Sequence, residues 1–129
     1  MPHKQAITTE HAPKAVGPYS QAIVANGFVF CSGQIPLDPA TGKLIDSADI
    51  GDHVRRVMEN LRAVLSAAGS DFSRVVKTTI FVAKMEDFPD VNRVYAAYFT
   101  DVPPARATVQ AGALPLGARV EIEAIALAQ

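Results

Sequence analysis

The sequence predicts an α+β sandwich: one mixed sheet of six strands with two helices packed on one of its faces. Three observations lead there. Residues 47–68 repeat apolar side chains at three- and four-residue steps, the pattern of an amphipathic helix. Several shorter segments are rich in β-branched residues and bounded by Gly, Pro or Asn, as strands are. The chain has 129 residues, 49% of them hydrophobic and 19% charged, so residues 1–129 suffice for one domain with a real core.

Taken in order, residues 4–8 predict a short first strand, and residues 10–18, with two prolines and a glycine, an ordered loop. Asn26-Gly27 tolerates the positive φ angles of a type I′ turn. It therefore predicts a hairpin pairing residues 21–25 with 28–32, the outgoing strand ending at Ser32-Gly33-Gln34. Residues 36–42 are turn-rich. In the long helix, Ile50, Val54, Val57, Met58, Leu61, Val64, Leu65 and Ala68 form the stripe, while Arg55, Arg56, Glu59 and Arg62 cover the other side. Asp49 suits its N-cap and Gly69 its stop. Residues 74–83 are nearly continuously apolar and β-branched, which predicts a central strand covered on both faces. Residues 87–99 predict a second helix. Pro89 lies in its first turn, Phe88, Val91, Val94, Tyr95, Tyr98 and Phe99 form its apolar side, and Pro103-Pro104 end it.

The last two strands, residues 105–111 and 118–127, carry the chemistry. The first bears a lone Arg106. In the second, alternation puts Val120, Ile122, Ala124 and Ala126 on one face and Glu121, Glu123, Ile125 and Leu127 on the other. Two carboxylates thus share a face whose far end is apolar, which is the pattern of a rim or cleft. Reading the two strands as neighbours places an anion binder beside an acid/base. The helices cover one side of the sheet, and at this hydrophobicity the other side calls for a further copy of the chain.

Other classes of function find little support. The formal charge is −1 with no basic stripe, which argues against nucleic acid. The polar start of the chain lacks a signal-peptide core, no apolar run reaches the roughly 18 residues of a membrane span, and the single Cys31 cannot form an internal disulfide. A cytoplasmic setting is expected. The three histidines are scattered with no metal-ligand spacing, so no metal site is expected. Gly42-Lys43 is followed by Leu44, which a P-loop would not carry.

Six motifs, taken together, point further. Gly17-Pro18-Tyr19-Ser20-Gln21-Ala22, Ser32-Gly33-Gln34-Ile35-Pro36, Pro104-Ala105-Arg106 and Leu114-Pro115 with Val120-Glu121-Ile122-Glu123 resemble the RidA (YjgF) family of enamine/imine deaminases. Val76-Lys77-Thr78-Thr79-Ile80-Phe81-Val82 and Phe88-Pro89-Asp90-Val91-Asn92-Arg93-Val94-Tyr95 fit as well. The likeness runs from about Ala6 to Leu127. It implies a chorismate-mutase-like fold and a homotrimer with a site in each inter-subunit cleft. It implies hydrolysis of 2-aminoacrylate, or its tautomer 2-iminopropanoate, and related 2-imino acids to 2-keto acids and ammonia, with no cofactor. Thr108 departs from the pattern, since many members carry a cysteine there. Thiol chemistry at that position is therefore not expected of this chain.

On this resemblance Arg106 is expected to hold the substrate carboxylate bidentately, although residue type alone favours a solvent-facing arginine. Glu121 is expected to position water and relay protons. A salt bridge to Arg119 is its ordinary alternative, and Glu123 is assigned a structural role. Tyr19 is expected to supply a hydroxyl and an aromatic wall, Ser32 and Gly33 a hydroxyl and approachable backbone, and Asn92 a polar contact. Each also has an ordinary reading: loop packing, turn chemistry, a solvated helix residue. Cys31 reads as core. The alternative to the enzyme is a ligand-sensing or chaperone-like trimer, or a weak ribonuclease.

Overall fold

The computed structural model describes residues 3–129; Met1 and Pro2, the start of the polar N-terminal segment, lie outside the described residues. The strands are β1 (Gln5–Ile7), β2 (Ala22–Ala25), β3 (Phe28–Gln34), β4 (Val75–Val82), β5 (Ala105–Gln110) and β6 (Val120–Leu127). The helices are α1 (Ile50–Ala67) and α2 (Phe88–Ala96). This is the predicted order. All six strands form one sheet, ordered β1-β2-β3-β6-β4-β5. β4 and β5 are parallel and joined through α2; the other pairs are antiparallel.

Local chemistry accounts for the predicted boundaries. Asn26 and Gly27 have φ of 53° and 81°, so the type I′ hairpin forms and pairs Ala25 with Phe28. Asp49 caps α1 by accepting the Gly51 amide at 2.9 Å. Gly69, with φ of 78°, ends it. The stripe of α1 is buried except for Ala68 at its end, which is partly buried: Val54, Val57, Met58, Leu61, Val64 and Leu65 meet Val29, Ile80, Val82, Val120 and Ile122 from the sheet. Removing each such aliphatic side chain from water contributes about 1.5–3 kcal/mol. α2 is shorter than predicted, and Pro103-Pro104 do not end it. The amides of Tyr98 and Phe99 turn back to carbonyls only three residues earlier. Their rings then meet Phe72 edge-on, with centroids 5.4 and 5.6 Å away.

Two expectations change. β4 is not covered on both faces: Thr78, Ile80 and Val82 are buried under the helices, whereas Lys77, Thr79 and Phe81 stay partly exposed. β5 and β6 are not neighbours, because β4 runs between them. The open face has the predicted polarity. Glu121 and Glu123 lie opposite Phe81 and Thr79 at one end. Ile125 and Leu127 lie opposite Phe30 and Phe28 at the other, where Phe30 is 44% exposed.

Candidate active site

The six predicted site residues fall into two clusters. Tyr19, Ser32, Gly33 and Glu121 line one cleft of about 570 Å³. Its geometry starts from an irregularity in β3. Cys31 pairs with Ala124 and Gln34 with Ile122, so Ser32 and Gly33 together face Glu123 alone. This is a β-bulge, with one residue more on β3 than on its partner. It lets Cys31 and Gln34 both point into the core and turns Gly33 toward Glu121. A β-carbon at Gly33 would collide with Glu121 Oε2 and come within 3.0 Å of its Cδ. Only glycine lets the carboxylate lie against the backbone there.

Glu121 makes no ion pair among the described residues. Its ordinary alternative partner, Arg119, is taken: Nη2 lies 3.3 Å from Asp87, and Nη1 donates to the Ala48 carbonyl. Partial burial, and secondarily the charge of Glu123, hold the Glu121 carboxyl above the usual glutamate range. Glu123 itself is exposed.

Two buried amides fix the cleft walls. The Gln21 side chain accepts the Thr9 amide at 2.7 Å and donates to the carbonyls of Thr9 and Pro13 at 3.1 and 2.8 Å, tying down the loop that carries Tyr19. Asn60 of α1 donates to the Leu37 carbonyl at 2.9 Å and so holds the segment after β3. The Ser32 hydroxyl donates to the Ser20 carbonyl, so its proton serves the wall and only its lone pairs face elsewhere. Tyr19 is 52% exposed at the mouth. Cys31 lies beneath, where burial pushes the thiol up to about 12; it is core, as expected.

The second cluster surrounds Arg106. Its Nη1 donates to Asn92 Oδ1 at 2.6 Å, and its guanidinium carbon lies 5.3 Å from the ring centres of both Phe88 and Tyr95. Tyr95 is fixed in turn by a 2.7 Å hydrogen bond between its hydroxyl and Thr78. Asn92 thus touches the arginine. Phe88 and Tyr95 were read from the sequence only as the apolar side of α2. The signal that they act together was present: 88, 92 and 95 follow four- and three-residue steps on one helix face. Thr108, two residues beyond Arg106 on the same strand, has a buried hydroxyl with no partner among the described residues.

The clusters are on opposite faces of the sheet. Arg106 pairs with Thr78, whose side chain points under α2, and Glu121 pairs with Phe81 on the open face. Two strand spacings and three residues of offset separate their Cα atoms by about 14 Å. With the sheet between them, Arg106 and Glu121 of one chain cannot hold one small molecule.

Fold and site define a class of protein: a six-stranded α+β sandwich carrying a largely apolar cleft with one carboxylate and a preorganised arginine. The chain matches the family model described as Endoribonuclease L-PSP over residues 9–128. It is 56% identical over 126 residues to Protein DfrA of Myxococcus xanthus, covering 96% of this chain and 95% of that one. It is 47% identical over 124 residues to the 2-iminobutanoate/2-iminopropanoate deaminase of Mus musculus, covering 96% and 91%. The solved structure of YyfA from Yersinia pestis, described as of the conserved Rid protein family, matches with a TM-score of 0.94 at 49% identity, covering 97% of this chain and 99% of that one. The chain therefore belongs to the RidA (YjgF) family, and its sheet and helices have that family's chorismate-mutase-like arrangement. Among the described residues, no helix is long and apolar enough to cross a membrane.

Proposed function

We propose that this protein hydrolyses 2-imino acids, 2-iminopropanoate and 2-iminobutanoate among them, to 2-keto acids and ammonia. The observation that carries the reading is the unpaired Glu121 carboxylate held over the backbone of Gly33 in a largely apolar cleft. A carboxylate so placed is a poised proton carrier. Relatives named for this reaction, at 44–47% identity, support it.

The separation of the clusters supports a site shared between two copies. Arg106 of one chain, steadied by Asn92, Phe88 and Tyr95, receives the substrate carboxylate. The cleft of the next chain receives the imine carbon. Glu121 takes a proton from water as its oxygen bonds to C2, and the C=N π pair moves to nitrogen. The carbinolamine nitrogen is protonated, the C–N bond breaks toward nitrogen, and the oxygen gives up its proton. One imine and one water become one keto acid and one ammonia. Tyr19 walls the planar substrate. The reaction needs only water and proton carriers. A homotrimer would also cover the open apolar sheet face around Phe30 and Ile125.

The test is the decay of 2-iminopropanoate generated in situ by a PLP-dependent dehydratase. The parent protein accelerates it and Arg106→Ala does not. Equal acceleration by both would discard this account of the site. Acceleration by neither would leave a ligand-binding trimer. RNA cleavage that persisted through purification and vanished with Arg106→Ala would replace the hydrolase with a nuclease.

A further inference from the structure

The cleft is more apolar at its mouth than hydrolysis of the smallest imines requires. Beside Ser32, Gly33 and Glu121 it is lined by Pro13, Val16, Ile35, Leu37, Pro115 and Leu116. Two of these are set out in water: Val16 is 78% exposed and Leu116 is 71% exposed. Leu116 is placed there by its backbone. It lies at φ 58° and ψ 18°, the left-handed region that a leucine rarely adopts. The tight turn 114–118 holds it, through Gly117 donating to the Leu114 carbonyl and Ala118 to that of Pro115, each at 3.1 Å. A strained backbone that exposes a large apolar side chain beside a candidate catalytic carboxylate costs stability, and such outliers gather where a ligand is received.

Size points the same way. 2-Iminopropanoate has six non-hydrogen atoms; at roughly the 30 Å³ a water occupies, these fill about 180 Å³. The cleft measures about 570 Å³, roughly three times that volume. A methyl substituent leaves most of the wall wet. A four-carbon branched or an aromatic substituent covers it.

We infer that Leu116 and Val16 form a specificity wall, and that the preferred substrates are 2-imino acids with bulky apolar side chains rather than the smallest ones. This rests on the hydrolase reading above. Lys14 also lines the cleft. It is a single exposed cation among six apolar neighbours, and an acidic side chain could meet it only by drying or bypassing them.

The experiment compares imines generated by amino-acid oxidases from L-alanine, L-leucine and L-aspartate, each decay measured over buffer. The expected kcat/KM for the leucine-derived imine exceeds that for the alanine-derived one by about tenfold or more, since each well-packed methylene is worth about tenfold upward. Leu116→Asn keeps a residue that tolerates the left-handed backbone but removes the apolar surface. It should cut the leucine-to-alanine ratio by about fivefold or more, and Val16→Ser should act in the same direction. An unaltered ratio in both variants, or a parent that favours the alanine-derived imine, overturns the inference while leaving the hydrolase intact. The two side chains would then belong to the contact between copies. Preference for the aspartate-derived imine overturns it in favour of Lys14. If no imine decays faster than in buffer, the hydrolase reading fails and the inference with it.

Discussion

Mixing two inactive variants tests whether the site is shared between chains. Arg106→Ala keeps the Glu121 cleft, and Glu121→Gln keeps the guanidinium. Losing a bidentate charge-assisted contact costs about 3 kcal/mol, or roughly 10²-fold in rate, so each variant alone should be nearly silent. In a cyclic assembly each junction joins the arginine side of one copy to the cleft of the next. In a random equimolar mixture a junction has both wild-type halves with a probability of one half times one half, so about a quarter of the sites return. Unfolding and refolding the variants together, then following imine decay per chain, reads this directly. A second arm sharpens it. Wild type mixed equally with the chain carrying both substitutions should retain about a quarter of full activity, whereas a site within one chain would retain about half. Mixed assemblies confirmed by native mass spectrometry, yet no more active than the two variants apart, would refute the opposite-face argument.

Further outcomes follow from the same geometry. Gly33→Ala forces the Glu121 carboxylate aside, because the new β-carbon meets its far end. A displacement near 1 Å is expected to cost about 10²-fold in kcat/KM with little change in thermal midpoint, and the loss should shrink sharply when Glu121 is already Gln. The Glu121 carboxyl is raised above its ordinary 4.5 by burial and Glu123. Its protonated form therefore stabilises the fold below that value, and the contribution is lost as pH rises through the higher folded-state value. In an Arg106→Ala background, where no neighbouring guanidinium offsets this, Glu121→Gln should raise the melting temperature at pH 8 and lose that advantage toward pH 4. Phe30→Glu places a charge between Ile23 and Ile125 on the open face. If the proposed homotrimer buries this face, light scattering should show the variant as monomers, with imine hydrolysis lost in parallel. Cys31 should resist a disulfide reagent at pH 8 until denaturant is added, its thiol being pushed to about 12.

The parts of the fold that repeat locally were readable in the chain. The stripe of α1, the Asp49 cap and the Asn26-Gly27 turn are each written within a few consecutive residues. Alternation in β6 placed Glu121 and Glu123 opposite Val120 and Ile122, as found. Strand order was not readable, because β4 enters between β5 and β6 through pairing between residues some forty positions apart. That places a strand between Arg106 and Glu121, and the register across it, Thr78 for one and Phe81 for the other, sets them on opposite faces. The three short 3-10 turns at Phe72–Arg74, Met85–Asp87 and Pro115–Gly117 also went unread, since they are set by single backbone bonds and not by periodicity. The strand pattern singled out Arg106 and Glu121 as anion binder and acid/base, and the family resemblance gave them their roles and weighted Gly33 toward the site. The reason Gly33 must be glycine emerged only with the Glu121 side chain in place.

The bulge at Ser32-Gly33 bears on how this chain tolerates changes in length. Removing one of the two residues would let the remaining one face Glu123, with Gln34 still opposite Ile122 and still pointing inward. The ladder would become regular. A shortened strand should therefore pair at least as well as the native one, while no backbone would be brought against Glu121. Single-residue deletions elsewhere in β3 invert every side chain beyond them and should unfold the domain. At this position alone, a deletion is expected to leave a folded protein that does no chemistry. The extra residue is one that the sheet does not need and the cleft does.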